Sequence, residues 1–184
     1  MKHVPDAPAS EIRSCSECGF VWNALSKIAV ASRMSDAVEA FVGVIQRAGA
    51  NVVLRPTPQR WSILEYGGHL RDVLVSIRER IVLASVLDVP VGTALYRDER
   101  IDLGFYAQDA ATDVAAELQV VTYLFLKTIA TLPEHFEERG LVYSTLTPLE
   151  VTIATTTLNA VHECEHHLRD AKEDLSLLDL ADGA

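Results

Sequence analysis

The chain has 184 residues, 49% of them apolar and 23% charged, and a formal net charge of −10. That size and balance suit a single globular domain with a sizeable core. The acidic surface argues against nucleic acid or an anionic membrane as a partner. No run reaches the roughly eighteen unbroken apolar residues that a membrane span requires, and Met1–Ser10 lacks the apolar centre of a secretion signal. A cytoplasmic location is therefore expected, with small molecules as partners.

Residues 1 to about 14 read as a flexible tail containing Pro5 and Pro8. Cys15-Ser16-Glu17-Cys18-Gly19 follows as a tight knuckle, so the expected organisation is a tail and knuckle over 1–21 and a helical bundle over 22–180. With three cysteines and no secretion signal, a disulfide framework is not expected. From Trp22 to Ile45 apolar residues recur every three or four positions, predicting a helix with a break around Ser32–Ser35 and an end at Ala48-Gly49.

The second helix starts on a capping box, Ser62-Ile63-Leu64-Glu65, and its apolar stripe runs to about Leu87. Gly67-Gly68 lies inside it, and interior glycines cost on the order of 1 kcal/mol each relative to alanine, so a close helix crossing or a ligand should demand small residues there. Pro90–Gln108 is a long connection of the kind that is often functional or mobile. A third helix is predicted over Thr112–Leu132, and a short turn with a break over Pro133–Gly140. Thr147-Pro148-Leu149-Glu150 reads as a second capping box, opening a fourth helix that continues to about Leu178. No strand is predicted. The fold class is all-α, a four-helix bundle with an N-terminal Cys-x-x-Cys knuckle.

The fourth helix carries His162-Glu163-Cys164-Glu165-His166-His167, which contains two metal-type pairs at i, i+4 spacing. Residues step by ~100° around a helix axis. Centred on Cys164 within the apolar sector, His167 and Glu163 fall roughly 60° and 100° to one side, while His162 and His166 fall roughly 160° away. Glu163 and His167 therefore border the core and His162 and His166 point outward. His69 lies at the edge of the stripe of the second helix, placed to meet the first pair. A His69, Glu163, His167 set suits zinc, or another divalent ion, acting as a Lewis acid. Asp72 and Asp170 each follow a histidine by three residues and are candidates to orient its ring. The competing readings are solvated carboxylates and a polar Glu163/His167 pair without metal. Cys164 reads as a small buried hydrophobe.

Two order-dependent motifs, Trp61-Ser62-x-x-Glu65-x-x-x-His69-Leu70-x-Asp72 and Glu163-x-x-x-His167-x-x-Asp170, resemble the DinB/YfiT-like four-helix bundle superfamily over about residues 35 to 178. The resemblance implies a divalent metal, zinc first and nickel as the alternative, on the positions matched by His69, Glu163 and His167. The branch that contains mycothiol-dependent maleylpyruvate isomerase uses such a His, Glu, His set. This chain carries no counterpart of that isomerase's extra C-terminal domain, so the implied activity is a thiol S-transferase. A low-molecular-weight thiol would be the cosubstrate and a small electrophile its partner. The alternative is a non-catalytic, metal-stabilised bundle serving in stress response or as a dimerisation module, and exposed bundle faces suggest a homodimer.

The knuckle supplies two thiols, and structural zinc wants four ligands. His162 and His166 would complete a Cys2His2 set if the knuckle docked on the outer face of the last helix. A redox pair, or an unmetallated turn beside ordinary surface histidines, are the other readings of Cys15 and Cys18.

Overall fold

The computed structural model describes residues 14–182, so the expected tail lies outside the described residues except for its last position. Four long helices dominate: α1 (Lys27–Ala48), α2 (Ile63–Val86), α4 (Ala111–Thr131) and α5 (Ile153–Asp182), with a short α3 (Arg97–Asp102) in the connection after α2. α1 packs on α4 and α5, and α2 packs on the same two helices. The consecutive helices α1 and α2 thus stand largely across the bundle from each other, as do α4 and α5. The core between them is built from side chains such as Met34, Phe41, Leu70, Leu74, Ile77, Leu118, Phe125 and Cys164, all fully buried.

Local signals fix most helix starts. Ser26 caps α1 by accepting the Ala29 N–H at 3.2 Å, so the helix begins five residues after Trp22 and runs unbroken through Ser32–Ser35. Ser62 and Glu65 form the reciprocal capping box at the head of α2, the carboxylate accepting the Ser62 N–H at 2.8 Å. Gly67 and Gly68 are required by packing. A Cβ on Gly67 would lie 2.8 Å from Val114 Cγ1, and one on Gly68 would lie 2.6 Å from Tyr106 Cδ1.

The second capping box does not form. Residues 143–149 instead close a hairpin through Tyr143 N–H to Leu149 O and Ser144 N–H to Thr147 O. Two three-residue strands, β1 (Gly140–Val142) and β2 (Glu150–Thr152), pair antiparallel with Leu141 opposite Val151. The β-branched Val151 and Thr152 suit a strand, which the helical pattern had hidden. α5 then starts at Ile153, where the Thr152 hydroxyl accepts the Thr155 N–H at 3.1 Å. The connection after α2 is pinned to this hairpin: Val142 N–H donates to Pro90 O and Gly92 N–H donates to Val142 O, both at 2.9 Å. Gly92 sits where a Cβ would be 2.3 Å from Tyr143 O and 2.8 Å from Arg80 Nε, so only glycine lets the loop pass so close.

α4 is long and apolar enough to cross a membrane by length and composition. In the fold it lines the bundle through Val114, Leu118, Thr122, Phe125 and Ile129.

Candidate metal centre

α2 and α5 bring His69, Glu163 and His167 together. All three are buried, and one donor atom from each lies within 4.8 Å of the others. His167 Nε2 is 3.3 Å and His69 Nε2 is 3.7 Å from Glu163 Oε2. Donors about 2.05 Å from a tetrahedral ion would stand about 3.4 Å apart, so each histidine nitrogen stands close to ligand spacing from the carboxylate oxygen. Neither ring nitrogen of His69 has a hydrogen-bond partner among the described residues, although both are buried. Orphaned buried polar atoms are costly, and a cation between these side chains would satisfy one of them.

The electrostatics prepare His69 and Glu163 as ligands, whereas His167 must lose a proton to become one. Burial pushes the His69 imidazole down to about 4, outweighing Glu163, so the ring is neutral and offers a lone pair. Burial opposes ionisation of Glu163, but the His167 and His69 rings beside it overcome burial and hold the carboxyl well below its ordinary value. His167 is pushed the other way. Burial disfavours its cation, but Asp170 and Glu163 raise it to about 9. Without a metal, His167 is therefore an imidazolium between two carboxylates.

Asp170 Oδ2 accepts from His167 Nδ1 at 3.1 Å, which leaves Nε2 directed at the Glu163 side. This is the carboxylate–histidine arrangement that fixes the tautomer and orientation of a metal ligand. Asp72 does not act likewise on His69. Three residues along α2, its carboxylate faces the following connection, meeting Arg71 Nε, Arg100 Nη1 and the Tyr106 hydroxyl. It anchors that connection, including the tyrosine packed over Gly68.

One side of the centre is walled by aromatic rings. Trp61 packs edge-on to His69 with ring centroids 5.2 Å apart, and Tyr66 lies 5.3 Å from His167. The other side opens into a cavity of about 270 Å³ lined by His69, Glu163, Arg80, Arg97, Tyr96, Tyr143, Ser144 and Thr147. Tyr96 heads α3 with a φ of 51°, a left-handed conformation uncommon for a side chain of its size. Arg80 is buried, donates to Thr93 O at 2.7 Å, and stacks 4.4 Å from the Tyr143 ring centroid, while its Nε has no hydrogen-bond partner among the described residues. Asn159 donates to the Tyr143 hydroxyl at 2.6 Å.

Arg80 had a signal in the sequence. Eleven residues after His69 is about three turns, so both side chains share a face of α2. The strand residue Tyr143 and the loop residue Tyr96 had none, because only the hairpin and the pinned connection bring them here.

His162 and His166 do leave the bundle core on the far side of α5, but they are not exposed. The segment from Ser14 to Trp22 covers them, leaving 5% and 3% of each accessible. Cys15 and Cys18 lie in that segment, and one donor from each cysteine and each of these histidines falls within 4.8 Å of the rest. None of the three cysteines is in a disulfide. Cys164 is fully buried in the core, where desolvation raises its thiol far above the ordinary value.

The fold resembles a solved structure, that of YfiT from Bacillus subtilis, described as "a probable metal-dependent hydrolase with an unusual four-helix bundle topology". The match has a TM-score of 0.70 at 18% identity and covers 84% of this chain and 89% of that one. No curated protein matches the chain. The model of the DinB superfamily matches residues 32–171, a span that holds α2 and α4 whole, most of α1 and α5 as far as Ala171, together with His69, Glu163 and His167, and by that match the chain belongs to the DinB superfamily.

Proposed function

We propose that the chain is a metal-dependent transferase that uses a low-molecular-weight thiol as its nucleophile. His69, Glu163 and His167 would hold a divalent ion, zinc first and nickel as the alternative. The observation that carries the reading is the convergence of three buried donors beside a cavity. Three protein ligands leave a position for a reactant, whereas closed structural sites take four. The His, Glu, His composition is also that of the thiol-dependent branch which the sequence resembles.

A metal bound there would supply Lewis acidity, lowering the pKa of a thiol so that it enters as thiolate. The protein's own residues supply the rest. Glu163 offsets part of the added charge. Asp170 holds the His167 ring with Nε2 forward, and Trp61 and Tyr66 exclude water from behind. Arg80 gives the cavity wall a buried cation suited to an anionic group of the substrate, and Tyr143, Ser144 and Thr147 offer polar contacts for a hydrophilic thiol.

Water is the rival nucleophile, favoured by the description of YfiT as a probable metal-dependent hydrolase. Two measurements decide. Untagged protein should carry metal that a His69→Ala variant loses from this site, and full occupancy in the variant removes the assignment. The metal-loaded protein should then consume an electrophilic fluorogenic halide only when a small thiol is present. Ester hydrolysis without thiol would favour water.

A further inference from the structure

We propose a second metal centre: Cys15, Cys18, His162 and His166 bind a structural zinc that clamps the N-terminal segment onto α5. One donor atom from each of the four residues lies within 4.8 Å of the other three. Cys15 Sγ is 3.7 Å from His166 Nδ1, and thiolate and imidazole ligands of a tetrahedral zinc stand about 3.6 Å apart given bonds of about 2.3 and 2.05 Å. The set is complete, so this centre is closed, in contrast to the three-ligand centre on the other side of the same helix.

The knuckle has the backbone a metal turn needs. Gly19 N–H donates to Cys15 O at 2.9 Å, and Cys15 N–H donates to Phe20 O at 2.7 Å. Gly19 adopts a φ of 76°, open to glycine and costly for other residues. Phe20 N–H reaches back to Cys18 Sγ at 3.4 Å, a contact that stabilises a thiolate. The turn therefore presents both sulfurs on one side, toward α5.

The histidines are equally prepared. His166 Nε2 stands 3.4 Å from Glu17 and 3.5 Å from Asp170, which directs Nδ1 to the sulfur. A carboxylate behind a ligating imidazole is the usual support for such a ring. His162 is packed against Phe20 and Trp22, with ring centroids 5.3 and 4.8 Å away. Apolar docking by Phe20 and Trp22 explains why the segment lies on α5. It does not explain why two thiols and two imidazoles, rather than apolar groups, converge beneath it. Zinc binding would release the two thiol protons and convert this polar cluster into four metal bonds.

The experiment separates this centre from the reactive one. In a His69→Ala background, untagged protein should retain about one zinc per chain, and adding Cys15→Ser and Cys18→Ser should remove it. Because the cysteine variant could unfold, wild-type protein stripped of metal is also titrated with cobalt(II). Thiolate-to-cobalt charge-transfer absorption and the intense visible bands of a tetrahedral ion should appear. Zinc content equal in the parent and the cysteine variant, or a cobalt spectrum without thiolate absorption, overturns the proposal.

Discussion

Asp170 Oδ2 stands 3.1 Å from His167 Nδ1, one turn along the same helix. The carboxylate does not reach the space between His69 and Glu163, so its effect there passes through the imidazole. An Asp170→Asn variant should keep the fold but weaken divalent-ion binding at the His69 centre by about ten- to a hundredfold. Competition with a chromophoric chelator measures this. Asp72→Asn is the control: with no site histidine as partner, it should leave metal affinity unchanged while lowering stability through Arg100 and Tyr106.

Arg80 is the residue most open to a kinetic test. Arg80→Met keeps much of the packing against Tyr143 and removes the guanidinium. With an anionic substrate, KM should rise about tenfold, which corresponds to roughly 1.4 kcal/mol, with kcat changed much less. Equal loss in kcat and kcat/KM would place Arg80 in transition-state stabilisation instead.

Glycine positions give a stability test independent of function. Gly68→Ala drives a methyl against Tyr106, itself nearly inaccessible. Overpacking of this kind costs about 1–3 kcal/mol, which exceeds the gain of about 1 kcal/mol from replacing a helical glycine. Thermal unfolding should shift downward. Gly43→Ala in α1 should shift it upward, because a Cβ there meets only the flexible end of Arg47 at 3.4 Å.

Acid sensitivity should trace in part to Glu65. Burial disfavours its charge, but the Arg55 guanidinium and the Ser62 N–H outweigh burial and hold its pKa below the ordinary 4.5. A group depressed in the folded state binds protons more readily when unfolded. Its stabilisation is therefore present above about pH 4.5 and fades as pH falls through the lower folded value. Urea unfolding of metal-free protein should show Glu65→Gln less stable by about 1 kcal/mol at pH 7, with the difference closing toward pH 3. A difference constant with pH would assign the loss to packing.

The capping box at Ser62 was legible because it is a code read within four residues. The identical spacing at Thr147 misled for the same reason. A four-residue pattern does not reveal that Leu141 lies across from Val151, and long-range pairing decided that segment. The wheel placed Glu163 and His167 toward the core side, where the structure has them. It turned His162 and His166 away from the core without saying what covers them, because a wheel does not know what else packs on a helix, and only the separate count of zinc ligands offered the knuckle for that face. Asp72 shows the limit of spacing arguments: i+3 from a histidine on a helix allows contact but does not require it, and Arg100 and Tyr106 captured the carboxylate.

α5 is buried on nearly every side from Asn159 to His167, and this has a consequence for change over generations. Inserting or deleting a single residue between Asn159 and His166 turns everything beyond it by ~100°, so such an event disturbs both donor sets at once. Substitution is nearly as constrained, since almost every side chain there faces the core, a histidine cluster or the covering segment. Variation that retunes the cavity has freer ground in Tyr96–Glu99 and the hairpin tip, where the wall is built from residues that the helix register does not bind. Diversity among relatives of this chain should therefore collect in those segments, with the turn from His162 to His167 inherited as a block.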